Sequence, residues 1–134
     1  MKTEKQILGR AGEDLAVNFL KKKNYQILAR NWKCRFGELD IVAAKTKGWI
    51  LKKTESIVFV EVKTIDSTDV LFESQAEQNV NFFKQKKLIK SAQSFLKASR
   101  IKPETPWQID VIAIEYDSEK GLHKIRHWGN AVWQ

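Results

Sequence analysis

Apolar residues recur every three to four positions in two segments of the chain, the spacing that places them on one side of an α-helix. The first segment spans residues 4–23 and ends in Lys21-Lys22-Lys23, where the helix dipole favours cations. The second spans residues 73–99 and carries lysines on much of its polar side. The apolar positions are Ile7, Leu8, Ala11, Leu15, Phe19 and Leu20 in the first segment and Val80, Phe83, Leu88, Ala92, Phe95 and Leu96 in the second. The pattern predicts two α-helices.

Five other segments are rich in β-branched and aromatic residues and predict β-strands. They span residues 25–34, 38–44, 57–63, 107–116 and 122–128. The third is apolar on both faces until Glu61, which is typical of a central strand covered on both sides. The polar stretch 45–55 contains a short apolar piece, Trp49-Ile50-Leu51, and predicts a loop or hairpin. The order αβββαββ indicates an α/β fold with a mixed sheet, and 134 residues suit one domain, 1–134.

Charge and cysteine content narrow the class of protein. The chain has 24 Lys and Arg residues against 16 Asp and Glu residues, a formal net charge of +8. For one small domain this balance favours a polyanionic partner, most commonly nucleic acid, although a merely solvated basic surface gives the same balance. One cysteine and two histidines exclude an internal disulfide and a cysteine-rich zinc site, and they fit a reducing cytoplasm.

Two further classes are excluded by missing motifs. The sequence has neither an apolar signal-peptide segment nor a run of about 20 apolar residues, so we expect no membrane partner. It also lacks a P-loop and a GxGxxG fingerprint, so we expect no nucleotide cofactor.

Two carboxylates interrupt apolar strands. Glu61 does so in the third strand, with Lys63 two residues later on the same face, and Asp40 does so in the second strand. Neighbouring strands lie about 4.8 Å apart, so pairing of these strands could bring Asp40 and Glu61 together. Converging carboxylates repel unless a cation lies between them, and carboxylate oxygens with waters are ligands that Mg²⁺ takes. With a lysine nearby, this set would suit metal-assisted phosphodiester hydrolysis. A strand-end ion pair and two separate surface carboxylates are the simpler alternatives.

Glu13 lies beside a strip of small residues on the first helix, because Gly9, Gly12 and Ala16 share its side at helical spacing. Taken alone, these residues favour close packing of the helix on the sheet, with Glu13 at the solvated edge, over a role for Glu13 in a site. Elsewhere, Asp110 ranks below Asp40 as a site residue, and a single histidine near a strand end, such as His127, is usually structural.

Two motifs carry a resemblance to a known family. Gly37-Glu38-Leu39-Asp40 and Phe59-Val60-Glu61-Val62-Lys63-Thr64 resemble the D…ExK core of the PD-(D/E)xK nuclease superfamily. The whole chain resembles the YraN-like family of uncharacterised bacterial proteins, which has a restriction-endonuclease-like fold and is similar to archaeal Holliday-junction resolvases. Further matching segments are residues 9–13, 28–31, 84–88, 109–111 and 127–131. The resemblance implies a three-layer core, in which helices flank a mixed central sheet of about five strands.

The same resemblance implies a chemistry. Asp40, Glu61 and Lys63 would form the catalytic core, with Glu13 as a further acid from the helix, which reverses the preference for simple packing at that position. Asp40, Glu61 and Glu13 would hold Mg²⁺ or Mn²⁺. The substrate would be DNA, branched or otherwise structured, and a homodimer would suit a nuclease that cuts junctions. Basic side chains expected to contact the DNA backbone are Arg10, Arg35, Lys84 and Lys87.

Two other functions stay open. A non-catalytic nucleic-acid-binding module that keeps the nuclease fold would bind DNA without metal-dependent cleavage. In a protein-interaction role, the carboxylates and Lys63 would form a buried ion-pair network, and the affinity for DNA would be weak. The arginine usual in the family after the ExK lysine is Ile65 here, and the following loop lacks the expected glycine, which leaves the choice of substrate open.

Overall fold

The computed structural model describes residues 2–66, 82–117 and 119–132, which form a five-stranded sheet flanked by two helices. The elements are helix α1 (Glu4–Lys22), strands β1 (Tyr25–Cys34), β2 (Gly37–Lys47) and β3 (Lys53–Asp66), helix α2 (Phe82–Ala98), and strands β4 (Trp107–Asp117) and β5 (Leu122–Trp128). This order confirms the predicted α/β class and the αβββαββ arrangement.

The strands lie in the order β1-β2-β3-β4-β5, so neighbours along the chain are also neighbours in the sheet. Three of the pairs are antiparallel, whereas β3 and β4 are parallel, which makes the sheet mixed, as predicted. A parallel pair requires a crossover connection, and α2 lies within the one that joins β3 to β4.

The helices cover opposite faces of the sheet and so produce the three layers that the resemblance implied. Helix α1 packs on the face that carries Val58 and Val60, and α2 packs on the face that carries Ile57 and Phe59. All four side chains are buried. Because side chains alternate along a strand, β3 is covered on both faces, and Glu61 follows on the α2 face.

Two strands are longer than the pattern predicted. Strand β2 extends to Lys47 and β3 begins at Lys53, so most of the stretch 45–55 is a paired hairpin. Of the predicted loop and hairpin, the structure has the hairpin, whose backbones form hydrogen bonds without buried side chains, so the polar composition did not mark the strand ends. The apolar piece Trp49-Ile50-Leu51 lies at the tip of this hairpin, where Trp49 is 95% exposed.

The helix bounds largely agree with the sequence. Helix α1 begins at a capping box, in which Thr3 Oγ1 accepts from the N–H of Gln6 and Gln6 Oε1 accepts from the N–H of Thr3. Of the second predicted helix, residues 82–98 are helical, and residues 73–81 lie outside the described residues. In the part of the chain that the structure describes, no helix is long and apolar enough to cross a membrane.

Candidate functional site

The two interrupting carboxylates meet where β2 and β3 separate. The pairing of these strands ends at Ile41 and Val60, and a fork opens beyond them. In the fork, Asp40 Oδ2 accepts a hydrogen bond of 2.8 Å from the backbone N–H of Val62. The carboxylate thus takes the place of a backbone partner and comes within hydrogen-bonding reach of Glu61.

Glu61 is buried between two lysines. It is 6% exposed, and its Oε1 lies 2.7 Å from Nζ of Lys84 in α2 and 3.6 Å from Nζ of Lys63 in β3. A buried carboxylate is costly without partners, and the lysines supply them. Burial acts to lower the pKa of Lys84, but hydrogen bonds with Glu61 and Lys63 outweigh it, so the pKa of Lys84 is raised. Burial and the neighbouring Lys84 lower the pKa of Lys63.

Asp40 is in an environment that favours its protonated form. Burial raises the pKa of Asp40 to about 8, and the negative charge of Glu61 contributes to the rise, whereas the hydrogen bond from the Val62 N–H opposes it. At neutral pH the protonated carboxyl group therefore predominates. The proton on Asp40 reduces the repulsion between the two acids, and a bound cation could reduce the same repulsion.

Helix α1 brings Glu13 towards the same fork. The Glu13 side chain is 17% exposed, and its Oε2 lies 3.9 Å from an Arg30 nitrogen. With its amide nitrogen turned towards the acids, Asn31 donates to Glu13 over 3.1 and 3.2 Å and to Glu38 over 3.0 Å. Burial raises the pKa of Glu13, and the charge of Glu13 in turn contributes to the raised pKa of Asp40.

Sequence reasoning missed the role of Asn31 as a bridge between these acids. The residue has a φ of +50°, in the left-handed region where asparagine is one of the few residues tolerated. It lies in a matching segment of the family, 28–31, but nothing in the spacing indicated that its side chain turns towards Glu13. The positive φ of Asn31 is visible only in three dimensions.

Close packing and a role for Glu13 turn out to be compatible. A Cβ atom added at Gly12 would overlap the Thr64 side chain, so α1 approaches β3 as closely as a residue without a side chain permits. Thr64 directly follows Lys63 in the ExK segment. The predicted strip of small residues therefore fixes the helix that carries Glu13 against the strand that carries Glu61.

The predicted site residues other than Lys63 line three adjoining clefts. The carboxylate cleft has a volume of about 240 Å³ and is lined by Asp40, Glu61, Lys84 and Lys87 among others. The α1 cleft has a volume of about 510 Å³ and is lined by Arg10, Glu13 and Asn31 among others. The α2 groove has a volume of about 560 Å³ and is lined by Arg35, Phe36, Lys90, Gln93, Ser94 and Lys97. Glu38 lines both the carboxylate cleft and the α1 cleft, and Phe36 lines both the carboxylate cleft and the α2 groove.

The carboxylates differ in how well they fit a metal ion. Among the residues described, no group of three or more His, Cys, Asp and Glu side chains is arranged to hold a metal ion. Glu13 lines the neighbouring cleft, so its part as a third ligand stays a prediction. Asp40 and Glu61 fit a hard divalent cation, because Mg²⁺ is usually held by one or two carboxylates and keeps several waters.

Asp110 belongs to a different cluster, on the α1 face of β4. Its carboxylate is buried and lies 2.7 Å from Gln108 Nε2, from the backbone N–H of Asn130 and from His127 Nε2. Burial acts to raise the pKa of Asp110, but these hydrogen bonds outweigh it, so the pKa is lowered. The cluster ties the residues after β5 to β4, which agrees with a structural role for His127.

Comparison with known proteins shows the family of the chain. Residues 12–114 match the model of the Uncharacterised protein family UPF0102. A UPF0102 protein of Caldanaerobacter subterraneus subsp. tengcongensis is 40% identical over 131 residues, which cover 97% of this chain and 98% of that protein. A UPF0102 protein of Alkaliphilus oremlandii is 41% identical over 124 residues, which cover 92% of this chain and 96% of that protein. The chain therefore belongs to the UPF0102 family, the YraN-like family that its motifs indicated.

Proposed function

We propose that this chain is a Mg²⁺- or Mn²⁺-dependent endonuclease that hydrolyses phosphodiester bonds in DNA. The observation that carries the proposal is the convergence of Asp40 and Glu61 in a cleft that Lys84 and Lys87 also line. Two acids forced together destabilise a fold, and a carboxyl group in a cleft with a strongly raised pKa, as at Asp40, is common at catalytic sites. The D…ExK spacing of the same residues supports the assignment.

Each side chain has a distinct part in this proposal. Asp40 and Glu61 would hold the metal ion, and Glu13 would serve as a third or outer ligand. A bound ion would polarise a phosphate oxygen and lower the pKa of a water molecule. Lys63, 3.6 Å from Glu61, would orient the attacking water and stabilise negative charge on the phosphate. Lys84 and Lys87 would hold phosphates at the mouth of the cleft without reading bases.

A cleavage assay tests the proposal. The purified chain is incubated with linear duplex, single-stranded and four-way-junction DNA in the presence of Mg²⁺, Mn²⁺ or EDTA. We expect products only with a divalent ion, and none from Glu61→Gln or Asp40→Asn, although both variants should still bind DNA. Glu115→Gln is the matched control, because Glu115 lies in β4 of the same sheet and pairs with Arg126. Undiminished cleavage by either cleft variant would refute the assignment.

The choice among these substrates bears on assembly. A nuclease that resolves a four-way junction must nick two strands, so preference for the junction would require two copies of the cleft. Sedimentation equilibrium of the chain with and without junction DNA measures this directly. We expect a homodimer on the junction if that substrate is preferred, and a monomer if single-stranded DNA is cut best.

A non-catalytic nucleic-acid-binding module is the second candidate, and one observation favours it. Glu61 is already satisfied by Lys84 at 2.7 Å and Lys63 at 3.6 Å, so the described residues balance its charge without a metal ion. This alternative predicts salt-dependent DNA binding that Mg²⁺ and Mn²⁺ leave unchanged and no cleavage of any of the three substrates.

A further inference from the structure

We infer that the α2 groove binds the phosphate backbone of one nucleic-acid strand as that strand leaves the carboxylate cleft. The inference rests on the proposed function in one respect, since it takes the carboxylate cleft as the place where the strand is cut. It adds a path for the strand and assigns that path to Arg35, Lys90 and Lys97, with Gln93 and Ser94 between the cations.

The groove and the cleft adjoin at one residue. Phe36, in the turn between β1 and β2, lines both of them, so a strand that follows α2 out of the cleft would meet the groove next. Arg35 lies over the Phe36 ring at 4.6 Å and Lys90 lies over it at 5.7 Å, both measured to the ring centroid. These cation–π contacts hold two positive charges at the junction of the two spaces.

One helix supplies a row of cations along both spaces. Lys84 and Lys87 line the carboxylate cleft, and Lys90 and Lys97 line the α2 groove. At a rise of about 1.5 Å per residue, the row from Lys84 to Lys97 is about 20 Å long. That length corresponds to about six nucleotide steps of about 3.4 Å in one strand of a duplex. An array of cations with this axial length suits a strand better than it suits a compact anion.

The chemistry of the groove suits phosphate. Its lining has three cations and two neutral hydrogen-bonding side chains but no acidic residue. Within the described residues, Arg35, Lys90 and Lys97 form no ion pair with a carboxylate. Arginine, lysine, serine and glutamine are side chains that contact phosphate oxygens in nucleic-acid complexes. No carboxylate among the described residues neutralises these charges, which leaves them available for the phosphates of a strand.

The test measures binding, so that it does not depend on cleavage. Anisotropy of a fluorescein-labelled single-stranded DNA 16-mer is followed in EDTA over a range of salt concentrations. Lys90→Gln/Lys97→Gln is compared with Lys21→Gln/Lys22→Gln, which removes two lysines from the last turn of α1, on the opposite side of the sheet. Each lost phosphate contact lowers the slope of log K against log salt by about 0.7 for a single strand, so the groove variant should lose about 1.4 in slope.

The expected result is a smaller slope and a weaker affinity in the groove variant, with both quantities unchanged in the α1 variant. Lys90→Arg/Lys97→Arg should keep the wild-type slope, because it keeps the charges. Equal losses in the groove and α1 variants would overturn the inference, since they would mean that only net charge matters. An unchanged slope in the groove variant would overturn it as well, as would competition by polyglutamate as strong as that by DNA of equal charge.

Failure of the proposed nuclease activity is a separate outcome. If the chain does not cut DNA but the groove variant has the smaller slope, the strand path is supported and only the catalytic role is refuted. If the chain cuts DNA with metal ions but the two double variants do not differ, the catalytic role is supported and the strand path is refuted.

Discussion

Replacement of Asp40 by asparagine should stabilise the fold at alkaline pH and leave it nearly unchanged at acid pH. The pKa of Asp40 is raised from 3.8 to about 8, mainly by burial and then by the charge of Glu61. Between these two values the folded chain holds a proton that the unfolded chain has lost, so the free energy of unfolding of the wild-type chain falls as pH rises. Asparagine carries no charge at any of these pH values and keeps a carbonyl oxygen for the Val62 N–H.

The size of the effect follows from the pKa shift. The interval from 3.8 to about 8 sets an upper limit of roughly 6 kcal/mol, at about 1.4 kcal/mol per unit. The Asp40 side chain is only partly buried, so solvent screening reduces this limit, and we expect Asp40→Asn to gain about 2–4 kcal/mol over the wild-type chain at pH 9. The same substitution should abolish cleavage, which would be a trade of activity against stability.

Urea unfolding at pH 5, 7 and 9 in EDTA measures the difference, and Asp110→Asn provides a control of opposite sign. The pKa of Asp110 is lowered, because hydrogen bonds from His127, Asn130 and Gln108 outweigh the effect of burial. Its ionised form therefore stabilises the fold above the unfolded pKa, and this contribution is lost as the pH falls towards acid values. Asp110→Asn should be less stable than the wild-type chain at pH 7 and 9. Parallel stability profiles of the wild-type chain and Asp40→Asn would refute the reasoning.

Three further predictions test the site. Lys84→Gln should bind Mn²⁺ roughly fivefold more tightly in calorimetry, because the metal ion would no longer compete with a lysine for Glu61. The factor follows from a partly exposed ion pair that contributes about 1 kcal/mol. An unchanged affinity would argue against a metal ion at Glu61. The Mn²⁺ affinity of the wild-type chain should rise about tenfold per pH unit and level off near pH 8, because Asp40 must lose its proton before it can bind the ion. An affinity that does not change with pH would contradict the role of Asp40 as a ligand. Gly12→Ala should cost about 1–3 kcal/mol in thermal unfolding, because the added methyl group would overlap Thr64. Gly9→Ala, with open space around its Cβ, should instead gain up to about 1 kcal/mol, and equal effects of the two would contradict the close helix approach.

Local pattern was sufficient to predict the order of the elements and to single out the two acids, but it left their convergence open. A continuous apolar run located β3 and marked Glu61 as its exception, and Asp40 was the exception in the neighbouring strand β2. The elements and the two exceptions follow from residues close in sequence, because the spacing of apolar residues differs between helices and strands. The fork that joins the two acids depends on where strand pairing stops, at Ile41 and Val60, and no local pattern encodes that end.

Contacts between distant segments explain what the sequence did not show. Lys84 was expected to contact DNA, but its pairing with Glu61 depends on how α2 packs across the sheet. The bridge from Asn31 to Glu13 depends on a left-handed backbone position in β1 and on the approach of α1. The hairpin at 45–55 was one of two predicted possibilities, and the strand ends within it were predicted too short because its pairing involves exposed residues.

The length of β2 divides the positive charge of the chain into separate regions. The seven steps from Asp40 to Lys47 cover about 23 Å, at about 3.3 Å per residue in a strand. The Debye length at physiological ionic strength is about 8 Å, so solvent ions largely screen the hairpin lysines from the carboxylates. The formal charge of +8 is therefore a sum over regions that act independently. Within the fork, burial and the adjacent charge of Glu61 dominate the raised pKa of Asp40, so a change of salt should alter strand binding far more than the protonation of Asp40.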